Sequence, residues 1–137
     1  MLEKPTAQDI LADFEKCKEA LYKTAKIHTI LIRSPKGSKD AFTKEACDLL
    51  TSSGYRIWDY NIQSGDTPDS DMSYYTIYAN ITNLLKERKS SAYIVLNSTQ
   101  NTNNVLLQLL YYLRNDNFNT YTISYMVTPV NQWKDTR

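Results

Sequence analysis

The chain offers few side chains with which to do chemistry. It contains one histidine, His28, and two cysteines, Cys17 and Cys47, which form no C-x-x-C pair. A structural zinc site takes about four ligands, mostly Cys and His, so the sequence predicts no metal site and reduced, partly buried thiols. A Ser-His-Asp or Cys-His centre would depend on His28 alone, and we expect His28 at the entrance of a strand, away from a catalytic centre.

Phosphate-binding glycine loops are also excluded. The chain has 3 glycines against 11 tyrosines, and neither G-x-G-x-x-G nor G-x-x-x-x-G-K-S/T can be written from them. Sixteen basic residues balance 15 acidic ones for a net charge of +1, which argues against a nucleic-acid binder. No apolar run reaches the roughly 20 residues that span a bilayer, and the N-terminus lacks a signal-peptide core. We therefore expect no membrane association and a cytoplasmic protein.

Helices and short apolar strands alternate along the 137 residues. Periodicity predicts helices over Thr6–Thr24, Asp40–Ser52, Ser73–Lys89 and Asn104–Arg114, the last apolar almost all round and so buried on several sides. Strands are predicted over Ile27–Arg33, Tyr55–Tyr60, Ala92–Asn97 and Thr120–Val127. The order predicts a single α/β domain, 1–137, with an N-terminal helix (1–25) and a core (27–127). That core is a flavodoxin-like open, mainly parallel sheet of four to five strands with helices on both faces.

Open parallel sheets bind ligands outside the carboxyl ends of their strands. In this chain three polar loops follow predicted strands, namely Ser34–Lys39, Asn61–Asp71 and Asn97–Asn103. These loops are therefore the predicted site.

Two blocks of sequence carry short motifs in a familiar order. In the first, Ile30–Asp66, an Asp-x-Phe pair (Asp40 and Phe42) precedes a helix, Gly54 ends it, and Trp58-Asp59 and Gly65-Asp66 follow. In the second, Ile81–Leu113, a helix, a strand, a polar loop and another helix follow one another. In this order the motifs resemble a Toll/interleukin-1 receptor (TIR) domain, especially the short bacterial TIR-like proteins.

The resemblance implies a role in bacterial immune signalling, with NAD bound and its nicotinamide–ribose bond cleaved or cyclised. The catalytic glutamate of the family falls on Gln108, and its tryptophan position on Asn104. Glutamine keeps the shape of glutamate but loses the charge that stabilises an oxocarbenium-like sugar, a loss that commonly costs about 10²–10³ in rate. The chain is thus expected to bind NAD with impaired turnover, as a native pseudoenzyme or an engineered Glu→Gln variant.

Further site residues are predicted within the same resemblance. NAD, as substrate or ligand and not as a tightly bound cofactor, would contact Ser34, Pro35, Lys36, Trp58, Asn97 and Ser98. Lys39 is a second candidate for the diphosphate. Each residue has an ordinary structural alternative: turns for Ser34 and Pro35, core packing for Trp58, a strand end for Asn97 and Ser98, and a solvated loop for the lysines.

A non-catalytic interaction or assembly module with the same fold is the alternative function. Self-association would use the Asn61–Asp71 loop, together with tyrosines Tyr74, Tyr75 and Tyr78 or Tyr111 and Tyr112, unless these pack in the core. A receiver-like domain is disfavoured because Ile32-Arg33-Ser34 brings no acidic cluster to the end of the first strand.

Overall fold

A computed structural model describes residues 5–67 and 69–133. The chain divides into two compact units, whose described parts are residues 5–59 with 124–133 (unit 1) and residues 60–67 with 69–123 (unit 2). Unit 1 contains α1 (Ala7–Ala25), β1 (Leu31–Ile32), α2 (Ser38–Ala41), α3 (Lys44–Ser52) and β2 (Arg56–Ile57). Unit 2 contains β3 (Ile62–Gln63), α4 (Tyr74–Lys86), β4 (Ile94–Val95) and α5 (Gln100–Asn115).

Unit 1 is built on the parallel pair β1–β2, in which Leu31 lies opposite Arg56. The predicted first helix is confirmed as α1, which begins with a capping box between Thr6 and Asp9. Its inner face packs on α3 because its apolar residues recur at helical spacing, and α3 in turn packs on β2. The buried side chains of this core are Ile10, Ile32, Ala46, Cys47, Leu50, Tyr55 and Ile57.

The helix predicted over Asp40–Ser52 is two helices, α2 and α3. Phe42 is extended, with φ −118° and ψ 145°, and so interrupts the helical run. Thr43 then caps the N-terminus of α3, because its side-chain oxygen accepts the backbone N–H of Ala46 at 3.2 Å. The predicted role of Gly54 at the end of α3 is confirmed, since its φ of +88° is a conformation that glycine adopts most easily.

Unit 2 is built on a second parallel pair, β3–β4, in which Ile62 lies opposite Ile94. The side chain of Asn61 extends the pairing: its oxygen accepts Tyr93 N–H at 2.8 Å, and its amide donates to the Ser91 carbonyl at 3.1 Å. Helices α4 and α5 pack against each other over this pair. The buried core side chains are Ile62, Ile77, Ile81, Leu85, Val105 and Leu109.

Three predictions for unit 2 are corrected. The segment Asn61–Asp71, predicted as a loop, begins with β3. Helix α5 begins at Gln100, four residues before the predicted start, because Thr99 caps it by accepting the backbone N–H of Thr102 at 3.1 Å. That helix is also not buried on several sides, since one side of it exposes Leu106, Leu107, Leu110 and Tyr111.

The strand predicted over Thr120–Val127 is not formed in the described residues. Residues 120–124 form no helix, strand or turn, and a turn follows at Tyr125 and Met126. The apolar side chains of this segment lie in solvent, and Tyr121 is 86% exposed. Apolar alternation favours a strand only where a neighbouring strand accepts its hydrogen bonds, and the two described sheets provide none here.

The coarse fold prediction is confirmed: the chain is a mixed α/β protein with short parallel strands. The described residues place these strands in two sheets of two strands each. None of the helices in residues 5–67 and 69–133 is long and apolar enough to cross a membrane.

Candidate functional site

A buried carboxylate organises the carboxyl end of the strand pair in unit 1. Asp59, two residues after β2, is 4% exposed. Its oxygens accept the backbone N–H of Ser38 at 2.8 Å, the Ser38 hydroxyl, and the backbone N–H of Gln132 at 2.7 Å. We call Asp59, Ser38 and Gln132 the Asp59 cluster. It joins the loop after β1 and the returning C-terminal segment to the end of β2.

Gly37 is required where this loop meets the returning segment. Its φ is +82°, and a Cβ built on it would lie 2.2 Å from the side-chain oxygen of Gln132. A larger residue would therefore be strained in its backbone and would have to displace the Gln132 side chain. The approach of the two segments depends on a glycine as well as on the carboxylate.

Unit 2 repeats the arrangement around Asp66, three residues after β3. Asp66 is 1% exposed. It accepts the Ser64 hydroxyl, the backbone N–H of Asn97 at 2.8 Å, the Asn97 side-chain amide at 3.2 Å and the Thr102 hydroxyl at 2.6 Å. We call Asp66, Ser64, Asn97 and Thr102 the Asp66 cluster. It joins the loop after β3 to the end of β4 and to the first turn of α5.

The hydrogen bonds of the Asp66 cluster keep its carboxylate charged. Burial alone raises the pKa of an aspartate, because it disfavours the charged form. At Asp66 the donors from Ser64, Thr102 and Asn97 outweigh burial and hold the pKa below its ordinary value of 3.8. The cluster is therefore a charge-assisted network that stays ionised at neutral pH.

The two clusters position loops, because both carboxylates already accept several protein donors. Each fixes backbone at the carboxyl end of a parallel pair, where α/β proteins bind ligands. Across residues 5–67 and 69–133, no three or more His, Cys, Asp or Glu side chains are grouped so that they could hold a metal ion. His28 lies on the surface of unit 1, its ring centroid 4.4 Å from that of Tyr22, beside a shallow groove along α1.

The residues predicted to bind NAD from unit 1 lie in different surroundings. Ser34 is buried at the end of β1, and its carbonyl accepts the Gly37 N–H at 3.1 Å. Pro35, Lys36 and Lys39 are exposed, as expected for a solvated loop. Trp58 is 4% exposed, so its ring packs in the interior and offers no open face for stacking.

The unit 2 residues predicted to act on NAD also lie in different surroundings. Asn97 belongs to the Asp66 cluster, whereas the neighbouring Ser98 is exposed. Gln108 is exposed on α5, six residues after Thr102 and outside the hydrogen bonds of the Asp66 cluster. Nothing in the bonding of the Asp66 cluster gives Gln108 a role.

Sequence reasoning missed the residues that hold both clusters together. The sequence presents Asp59 and Asp66 only as parts of the TIR motifs, and it does not mark Ser38, Ser64, Thr102 or Gln132 as site residues. For Asp59 the available signal was its position near the carboxyl end of the predicted strand Tyr55–Tyr60. Asp66 had no such signal, because β3 contains one apolar residue. A carboxylate that folding buries, as both of these are, needs hydrogen-bond donors.

No protein-family model and no curated protein sequence matches the chain. Solved structures do. The catalytic domain of a peptidoglycan N-acetylglucosamine deacetylase from Eubacterium rectale is similar with a TM-score of 0.81 and 16% identity, over 96% of this chain and 63% of that one. A polysaccharide deacetylase from Bacillus cereus is similar with a TM-score of 0.77 and 18% identity, over 93% of this chain and 64% of that one. The chain thus spans less than two thirds of either neighbour.

The TIR resemblance is therefore wrong, and with it the NAD-cleaving function in bacterial immune signalling. The alternative, a non-catalytic module, gains no support from these neighbours either. Motifs such as Trp58-Asp59 and Gly65-Asp66 misled because an aspartate at the end of a parallel strand recurs in many α/β proteins, whatever they bind. At these identities the similarity concerns architecture alone: the fold of this chain is similar to part of the fold of these two deacetylase structures.

Proposed function

We propose that the chain acts on a polysaccharide carrying N-acetyl groups, as a carbohydrate deacetylase. The observation that carries the proposal is the similarity to the Eubacterium rectale deacetylase domain, which extends over 96% of this chain at a TM-score of 0.81. A second deacetylase, from Bacillus cereus, supports the same substrate class. Both neighbours are named for the removal of acetyl groups from glycans, so this chemistry is the first to test.

The proposed reaction is the hydrolysis of an amide. The oxygen of water bonds to the acetyl carbon, the carbon–nitrogen bond breaks, the sugar nitrogen takes a proton, and acetate leaves. Such a reaction needs a fixed surface that holds the glycan and donors that stabilise the developing oxyanion. We assign Asp59 and Asp66 a positioning role, because protein donors already occupy their oxygens. They hold the loops on which a glycan would rest.

The experiment uses the purified 137-residue chain and a pentamer of N-acetylglucosamine. Calorimetry measures binding, and release of acetate is followed with and without added divalent metal ions, since metal-bound water is a common nucleophile in hydrolysis. The glucosamine pentamer, which lacks acetyl groups, and NAD serve as control ligands. We expect saturable binding of the acetylated pentamer, at least about tenfold tighter than the glucosamine pentamer, a difference of roughly 1.4 kcal/mol.

Acetate release would establish the hydrolytic part of the proposal. Binding without release in any metal condition would support glycan recognition and remove hydrolysis. If the chain neither binds the acetylated pentamer nor releases acetate, the deacetylase proposal is wrong.

Two finer predictions remain proposals beside this function. One is the open sheet of four to five strands, which the parallel pairing within each unit supports. The other is self-association through residues 61–71, which light scattering on the purified chain would test. The expectation that no cofactor is tightly bound also stays a prediction.

A further inference from the structure

Two stacked tyrosines stand at the start of α4. The ring centroids of Tyr74 and Tyr75 are 3.9 Å apart and their planes are inclined by 32°. Tyr74 packs against the core of unit 2, whereas Tyr75 is 70% exposed. Ser73 fixes the helix start from which both project, because its hydroxyl accepts the Thr76 backbone N–H at 3.2 Å. The pair therefore presents a supported aromatic face to solvent.

Three polar contacts fix the position of this helix start at the carboxyl end of β3–β4. Asn101, in the first turn of α5, donates its side-chain amide to the Met72 carbonyl at 3.0 Å. Asn80 donates its amide to the Ser64 carbonyl at 2.8 Å, and the same nitrogen lies 3.6 Å from the Met72 sulfur. Ser64 belongs to the Asp66 cluster. The tyrosine pair thus lies at the end of unit 2 where that cluster fixes the loops.

The chemistry of this face suits a sugar ring. A pyranose presents weakly polarised C–H groups on one side and hydroxyls around its rim. An aromatic ring offers a negative face to those C–H groups and a large apolar area at little cost in side-chain entropy. The side-chain hydrogen bond to Tyr75 and burial raise the pKa of Tyr74 above its ordinary value of 10.0.

We propose that Tyr75, supported by Tyr74, is a stacking platform for one sugar ring of an N-acetylated polysaccharide. This inference rests on the proposed function and names one contact residue within it. Tyr111, another exposed tyrosine of unit 2, lacks this placement. It lies ten residues beyond Asn101 on α5, about 15 Å along the helix axis from the helix start that contacts Met72.

The test compares binding of the N-acetylglucosamine pentamer by the wild-type chain and by Tyr75→Ala, Tyr75→Phe and Tyr111→Ala variants. Loss of one stacking side chain is expected to weaken binding about tenfold in Tyr75→Ala. Tyr75→Phe keeps the ring and should stay within about twofold of wild type, a difference of roughly 0.4 kcal/mol. Tyr111→Ala, a matched exposed tyrosine in the same unit, should bind as wild type does.

Saturation-transfer NMR gives a second readout. When the aromatic protons of the protein are saturated, the saturation should be transferred to ring protons of the pentamer in the wild type and much less in Tyr75→Ala. Circular dichroism confirms that each variant is folded, as its exposed position predicts. If Tyr75→Ala binds like wild type, or Tyr111→Ala weakens binding equally, the platform is wrong while the proposed function stands. If the wild type neither binds the pentamer nor releases acetate, the proposed function fails and the platform fails with it.

Discussion

Units 1 and 2 use a buried aspartate in the same place for the same purpose. Asp59 follows β2 and holds the segment after β1, and Asp66 follows β3 and holds the segment after β4. Each carboxylate thus joins the segments that follow the two strands of a parallel pair. Strands of two residues do not hold these segments in place by themselves. Short strands make few ladder hydrogen bonds, so a charged acceptor at the strand ends supplies the order that the ladder lacks.

The two clusters differ in what they hold. Asp59 accepts two backbone N–H groups and one hydroxyl, and it draws Gln132 in from the far end of the chain. Asp66 accepts two hydroxyls, one backbone N–H and one side-chain amide, from its own loop, the residues after β4 and the first turn of α5. The Asp59 cluster therefore reaches a partner 73 residues away in sequence. The Asp66 cluster reaches at most 36 residues and contains one more hydrogen bond to its carboxylate.

The largest predicted effect follows from removing each carboxylate. Asp66→Ala leaves four buried or half-buried donors without their acceptor and should lower the free energy of unfolding by about 3 kcal/mol. Asp59→Ala leaves three donors without their acceptor and should lower the free energy of unfolding by about 2 kcal/mol. Urea denaturation followed by circular dichroism measures both. Tryptophan fluorescence adds a local probe of unit 1, because Trp58 and Trp133 both lie there.

Asp71→Ala is the matched control, since Asp71 is exposed and the variant should stay within about 0.5 kcal/mol of wild type. The comparison of the two clusters is wrong if Asp59→Ala costs more than Asp66→Ala. Equal costs for Asp71→Ala and Asp66→Ala would mean that the buried network does not stabilise the fold.

The sequence predicted the elements whose signal is local. Helix α1 was found within one residue at each end, because its apolar spacing and its Thr6 cap both lie in the helix itself. Strand β3 was missed because Ile62 is its one apolar residue, between polar neighbours. Its formation depends on pairing with β4, some 30 residues away in sequence, which no local pattern reveals.

The candidate site was harder to predict than the fold. The three loops were placed at strand ends correctly in outline, yet Trp58 is buried and Gln108 lies outside the Asp66 cluster. Asp66 gains its role from Asn97 and Thr102, which are distant in sequence and come close only in the folded unit. Short motifs specify residue types at certain spacings. The site depends instead on which side chains come into contact in the folded chain. The TIR resemblance contained no information about those contacts and was therefore wrong about the site.

A smaller effect distinguishes the charge of Asp66 from its packing. Because the folded pKa of Asp66 lies below 3.8, the unfolded chain binds more protons than the folded chain at acid pH. The contribution of Asp66 to stability is therefore complete above about pH 4 and is lost as the pH falls through the folded pKa. We expect the difference in unfolding free energy between wild type and Asp66→Asn to shrink over that range.

Urea midpoints measured for both proteins between about pH 5 and about pH 2 test this expectation. Exposed carboxylates such as Asp9, Glu15 and Glu19, whose pKa values are also lowered, are common to both proteins and cancel in the difference. A gap that stays constant across this range would show that Asp66 stabilises through shape and not through its charge.

The smallest predicted effect compares two helix caps that differ in their connection to a cluster. Thr43 caps α3 by accepting the Ala46 N–H at 3.2 Å, and Thr99 caps α5 by accepting the Thr102 N–H at 3.1 Å. Loss of such a cap costs about 1 kcal/mol, which is the expectation for Thr43→Ala. Thr99 does more, because its hydroxyl lies 2.7 Å from that of Thr102, which donates its own proton to Asp66.

The Thr102 hydroxyl gives its proton to Asp66, so the Thr99 hydroxyl must be the donor between the two threonines. Thr99→Ala therefore removes a cap and also one bond of a chain that ends on a buried carboxylate, where hydrogen bonds polarise one another. We expect a cost of about 1.5 kcal/mol, against about 1 kcal/mol for Thr43→Ala, in parallel urea titrations. Thr99→Ser keeps the hydroxyl and should recover most of the loss.

In an Asp66→Ala background, Thr99→Ala and Thr43→Ala should lower the free energy of unfolding equally, because the carboxylate that distinguishes the two caps is gone. If Thr99→Ala still costs more in that background, its excess comes from the helix terminus alone.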